Sequence, residues 1–87
     1  MPVHNSEIAK VFNKIADLLE IKQSNPFRVR AYRDAARTIG GLSKTAADLV
    51  DQGDDLSSLP GIGKDLAGKI ETIIKTGTHP LLEDLNK

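Results

Sequence analysis

The sequence predicts an all-α domain, a compact bundle of four to five short helices. Three observations carry this reading. Apolar residues recur at spacings of three and four in the longer segments, no segment alternates with period two, and glycine, proline and short polar residues punctuate the intervals. Eighty-seven residues fit a single domain, 1–87, and suffice to bury one modest core without staples.

The elements follow in order. Residues 6–21 form an amphipathic helix with Ile8, Val11, Phe12, Ile15, Leu18 and Leu19 on one stripe. Asn5 or Ser6 is its expected cap, since a short polar side chain accepts from the free amides of the first turn. Asn25 caps the next helix and Pro26 takes its first position, where the missing N–H costs nothing. That helix runs to about Ile39, with Val29, Tyr32, Ala36 and Ile39 apolar, and stops at Gly40-Gly41. Ser43 is expected to start a shorter helix holding Ala46, Leu49 and Val50 and ending near Gly53. Asp54 or Asp55 caps a very short helix through Leu59. The last long helix runs from about Lys64 to Lys75 and buries Leu66, Ala67, Ile70, Ile73 and Ile74. Gly77 ends it, and Pro80 to Leu85 are expected to add one turn.

Charge and composition exclude several functions. The chain has no cysteine, which removes disulfide frameworks and cysteine metal sites. His4 and His79 stand near opposite ends and make a poor metal pair. The absence of cysteine makes an intracellular, cytoplasmic protein the expectation, the apolar runs are too short to span a bilayer, and Met1 to Ser6 lack the pattern of a signal peptide; a monomer is expected. Twelve basic residues balance twelve acidic ones, but unevenly. Lys22, Arg28, Arg30, Arg33, Arg37 and Lys44 face only Asp34 in their stretch, whereas Asp48, Asp51, Asp54 and Asp55 follow with no base before Leu59. One basic face is therefore expected.

The informative segment is a hairpin over 55–75. Its turn reads Leu59-Pro60-Gly61-Ile62-Gly63-Lys64, and a helix follows at once. Glycine admits positive φ and close approach of a ligand. Consecutive amides in such a turn, joined by the free amides of the next helix, form a concavity that holds an anion. A DNA phosphate is the natural guest, and such a contact is blind to sequence. Ile62 is expected to point inward and lock the turn to the core. An ordinary tight turn is the plainer alternative. The full string, with Leu66, Ala67 and Ile70 following at helical spacing, favours the phosphate site.

This string resembles the helix-hairpin-helix of many DNA repair proteins. The segment Asn25-Pro26-Phe27-Arg28-Val29-Arg30-Ala31-Tyr32-Arg33-Asp34-Ala35-Ala36-Arg37-Thr38-Ile39 resembles the second helix of the amino-terminal domain of family X DNA polymerases. The bacterial and archaeal members are the nearer match, and the lyase domain of DNA polymerase beta a more distant one. The likeness extends from about Glu7 to Leu85. It implies a domain that grips gapped or nicked DNA and holds its 5′-phosphate in base excision repair, associated with the nucleoid. It places that phosphate at Arg28 and Tyr32, one helical turn apart; the hairpin contact itself is expected at Gly61, Ile62, Gly63 and Lys64, with Arg33, Arg37 or Lys64 able to add basic contacts to DNA. It also implies a sodium or potassium ion on the backbone carbonyls of Ser57, Leu59 and Ile62. In the lyase members a lysine forms a Schiff base with the sugar aldehyde before β-elimination of the 3′-phosphate; the matching residue is Lys69, six positions after Gly63. Three positions depart from the pattern. Asp65 stands in place of a phosphate-binding lysine, Gly68 in place of an acid beside the nucleophile, and Leu81 in place of a base.

DNA-backbone binding is thus the leading expectation. A 5′-deoxyribose-phosphate lyase acting through Lys69 is the alternative from another class, and a protein-interaction helical domain is a third, against which the Arg28–Arg37 cluster counts. Polymerase chemistry requires clustered carboxylates on two metal ions, for which these residues leave no room.

Overall fold

The longest helices build the frame. In the computed structural model, which describes residues 4–76, α1 spans Asn5–Ile21 and α2 spans Pro26–Gly40. A short α3 covers Ala46–Asp51, a single 3-10 turn covers Leu56–Ser58, and α4 covers Lys64–Thr76. The described residues hold no strand. The stop at Gly77 and the turn over 80–85 lie outside them.

The α1 stripe of Ile8, Phe12, Ile15, Ala16 and Leu19 meets Val29, Tyr32, Ala35, Ala36 and Ile39 of α2 in the most extensive contact of the molecule. The Phe12 and Tyr32 rings meet edge to face, with centroids 5.5 Å apart and planes at 75°, a geometry that sets the positive ring edge on the negative face. Ala46, Leu56, Ile62, Leu66, Ile70 and Ile73 complete one continuous core. Ala67 and Ile74, expected inside, are only half-buried against it.

Most caps fall where the side chains predict. The Asn25 side chain accepts from Phe27 N–H at 2.8 Å, with Pro26 behind it. Asp55 accepts from the Ser57 amide at 2.9 Å and opens the 3-10 turn. Two expectations need correction. The third helix begins at Ala46, not Ser43, because Thr45 is the cap and accepts from Asp48 N–H at 3.1 Å. Asn5 does not cap its own helix; His4 holds the cap position with no side-chain hydrogen bond. The Asn5 amide instead reaches the start of α3, accepting from Ala46 N–H at 2.7 Å and donating to the Lys44 carbonyl at 2.8 Å. A residue read as a local cap is a long-range strut.

Candidate nucleic-acid interface

The turn is built by the residues on either side of it. Leu56 and Ile62 are buried and fix both ends of the loop to the core. The Ile62 amide donates to the Leu59 carbonyl at 3.1 Å, closing the turn, and Gly61 between them sits at φ +76°. Only glycine takes that conformation without steric cost. Thr38 of α2 braces the loop from outside, its hydroxyl donating to the Pro60 carbonyl at 3.0 Å.

This closure leaves donors over. Among the described residues the amides of Gly61, Gly63 and Lys64 donate to no acceptor, while Ala67 N–H begins the α4 ladder on the Gly63 carbonyl at 2.9 Å. Gly61, Gly63 and Lys64 are all exposed. Free amides at a turn entering a helix form a nest for an anion. The two glycines differ in why they are glycine. Gly63 has an ordinary φ, and a Cβ there would meet nothing within 4 Å. The fold therefore requires glycine at 61 and not at 63, where the expected positive φ is absent.

The basic residues do not share one face. Arg28 is exposed near the start of α2. At 3.6 residues per turn, Arg37 and Arg30 lie about half a turn around the helix from it. Tyr32 is a core residue whose ring is buried against Phe12. Arg33 is engaged within the domain: it donates to Asp17 at 2.8 Å and also to Glu20, and these hydrogen bonds raise its already high pKa. Arg37 is well exposed and lies 3.7 Å from Asp34. Sequence reasoning missed Thr38 and Asp34, which flank the turn. Nothing in spacing marks Thr38, because its contact spans 22 residues of chain.

Lys69 lies where its spacing predicts, with its stem packed and its amine at the rim. Its side chain is only 17% exposed, and the ammonium meets Asp65, one turn earlier, at 2.7 Å. The departure at 65 thus neutralises the very lysine it neighbours. On the other limb of the hairpin, the Ser57 hydroxyl and amide hold the Asp55 carboxyl below its ordinary value of 3.8, with Lys64 adding a weaker attraction. The Leu59 carbonyl already accepts from Ile62, while those of Ser57 and Ile62 accept no backbone bond among the described residues.

These features define a class. The chain belongs to the helix-hairpin-helix domain family, whose pattern matches residues 3–79. It is also 34% identical, over 85 residues, to the DNA polymerase/3'-5' exonuclease PolX of Bacillus subtilis (strain 168). That match covers 98% of this chain and 14% of the polymerase. The domain is therefore of the PolX type.

Proposed function

We propose that the domain binds the sugar-phosphate backbone of DNA without reading sequence, as a monomer and as one part of a repair polymerase. The observation that carries this is the set of three exposed residues, Gly61, Gly63 and Lys64, whose amides are unpaired, on a turn closed by the Ile62–Leu59 bond and braced by Thr38. The similarity to a DNA polymerase supports the same partner. No helix of the described residues is long and apolar enough to cross a membrane. A sodium or potassium ion on the carbonyls of Ser57, Leu59 and Ile62 belongs to the same proposal, supported by the absence of a backbone donor on those of Ser57 and Ile62 among the described residues.

Gapped or nicked DNA with a 5′-phosphate is the proposed substrate, with that phosphate on Arg28. Arg28 is exposed in the first turn of α2 and offers a planar fork of donors. Asp65 stands where the resembling pattern has a phosphate-binding lysine, so on this reading the site is weaker than an all-basic one. The test is a paired titration of gapped DNA bearing a 5′-phosphate or a 5′-hydroxyl. The phosphate is expected to bind better, by at most roughly 1.5–3 kcal/mol for a charge-assisted contact. Arg28→Ala should remove most of that preference and leave plain duplex binding nearly unchanged. Equal affinity of the wild type for both ends sinks the assignment.

Lyase chemistry is the second reading, favoured by the packed stem and rim-placed amine of Lys69. The amine has to leave Asp65 and lose a proton before it attacks the sugar C1′.

A further inference from the structure

Outside the hairpin, the described residues form a groove rich in arginine. It runs along α2 beside the end of α1, has a volume of about 460 Å³, and is lined by Glu20, Val29, Arg30, Arg33, Asp34 and Arg37 among others. Three arginines in one groove call for an account, because the fold uses only one of them. Arg33 is spent on Asp17 and Glu20. Arg30 has no ion-pair partner among the described residues, and Arg37 touches Asp34 only at 3.7 Å while staying 83% exposed. Arg30 and Arg37 are seven residues apart, two helical turns, and so project from the same side of α2.

The groove adjoins the hairpin. Asp34 lines it and is also the residue whose Cβ would lie 4.0 Å from a Cβ on Gly61. The next turn of α2 carries Thr38, bonded to Pro60. Asp34 and Thr38 thus join the turn amides to the arginine groove along one side of α2.

We propose that Arg30 and Arg37 form a second phosphate-binding stretch that extends the hairpin contact along the same DNA strand. This rests on the DNA-binding reading above. The two residues are separated by about 10 Å along the helix axis, which is roughly three nucleotides at 3.4 Å per step. Guanidinium forks match phosphate oxygens in pairs and are weakly hydrated, so they give up water readily to a phosphodiester. The Arg33 clamp cancels Glu20 and leaves the groove positive. Asp34 opposes the strand at the junction, which makes it the residue that limits affinity.

The experiment is a fluorescence-anisotropy titration of gapped duplex DNA across a salt series, with amide chemical-shift mapping alongside. Arg30→Ala/Arg37→Ala should reduce the slope of log affinity against log salt by about 1.8, two phosphates at 0.9 each. Arg30→Lys/Arg37→Lys should keep most of the slope, because the charge remains. Asp34→Asn should bind DNA more tightly than the wild type. Circular dichroism melting confirms that each variant folds; all three positions face solvent at least in part. An unchanged slope in the alanine pair, with DNA still shifting the Gly61 to Lys64 amides, overturns the groove and spares the hairpin. Absence of those amide shifts in the wild type overturns the DNA-binding reading itself. Equal binding of an acidic peptide and of DNA of matched charge also overturns the proposal, because it shows a general anion surface.

Discussion

Thr38 on α2 donates its hydroxyl to the carbonyl of Pro60, at 3.0 Å, and so ties the hairpin turn to the helix that carries the arginines. The bond is exposed, so its loss returns both groups to water. Thr38→Val should cost about 0.5–1 kcal/mol in urea unfolding. It should also broaden or shift the amide resonances of Gly61 to Lys64 and weaken DNA binding beyond the loss of stability. Wild-type resonances in that turn would show that the brace is incidental.

Gly61 and Gly63 answer to different demands, and paired substitutions separate them. Gly61→Ala forces a side chain into φ +76° and should destabilise the fold by roughly 1–2 kcal/mol. Gly63→Ala meets open space at an ordinary φ. It should melt within about 0.5 kcal/mol of the wild type yet bind DNA more weakly, because the methyl group keeps a phosphate off the amides. Thermal melting and anisotropy titration together check this; full affinity in Gly63→Ala would mean that no phosphate approaches there.

The Asp65–Lys69 pair bears on catalysis. An ammonium held at 2.7 Å by a carboxylate is a poor nucleophile. Borohydride trapping on DNA with an incised abasic site should give little adduct with the wild type and more with Asp65→Asn, while Asp65→Asn/Lys69→Ala gives none. No adduct from Asp65→Asn leaves Lys69 as a packed, phosphate-facing cation. Adduct that survives Lys69→Ala places the nucleophile elsewhere.

Acid sensitivity of the hairpin should track Asp55. Its carboxyl value is lowered in the fold, chiefly by the Ser57 hydroxyl and amide. A carboxyl with a depressed folded value contributes stability that is fully present above the unfolded value and is lost as pH falls through the folded one. The melting-temperature gap between wild type and Asp55→Ala should therefore hold at neutral pH and close as pH drops below the ordinary 3.8. A gap that persists at low pH assigns the role to backbone conformation instead.

What the sequence made legible was local. The stripes Ile8-Phe12-Ile15-Leu19 and Val29-Tyr32-Ala36-Ile39 obey a helical period and are the buried faces. Asn25, Pro26 and Asp55 carry cap chemistry that acts within a few residues, and each acts as its position predicts. The inward Ile62 was readable from its place between two glycines just before a helix whose apolar stripe continues at Leu66 and Ile70. What stayed hidden depends on where the chain returns. The partners of Asn5 lie 39 and 41 residues away, so its amide looked like a cap. The run of arginines looked like one basic face, but a helix turns about 100° per residue and sends Arg28 one way and Arg30 and Arg37 the other. The Asp65–Lys69 spacing of four was visible, and the helix rule for such pairs predicts that they meet.

The Asn5 strut has a consequence for the order in which the domain assembles. Six residues of α3 are too few to hold a helix in isolation. Its first turn is completed by a side chain 41 residues upstream, so closing that contact means closing a loop that contains both long helices. The helix pair α1 and α2 can form from sequence-near contacts, whereas α3 and the hairpin that packs on it must wait for the pair to exist. The unit that presents the free amides is thus expected to form late and open first, which native-state hydrogen exchange of the α3 and α4 amides against those of α1 and α2 checks. On that order, a phosphate ion or DNA strand binding there would act on this region as a stabilising ligand.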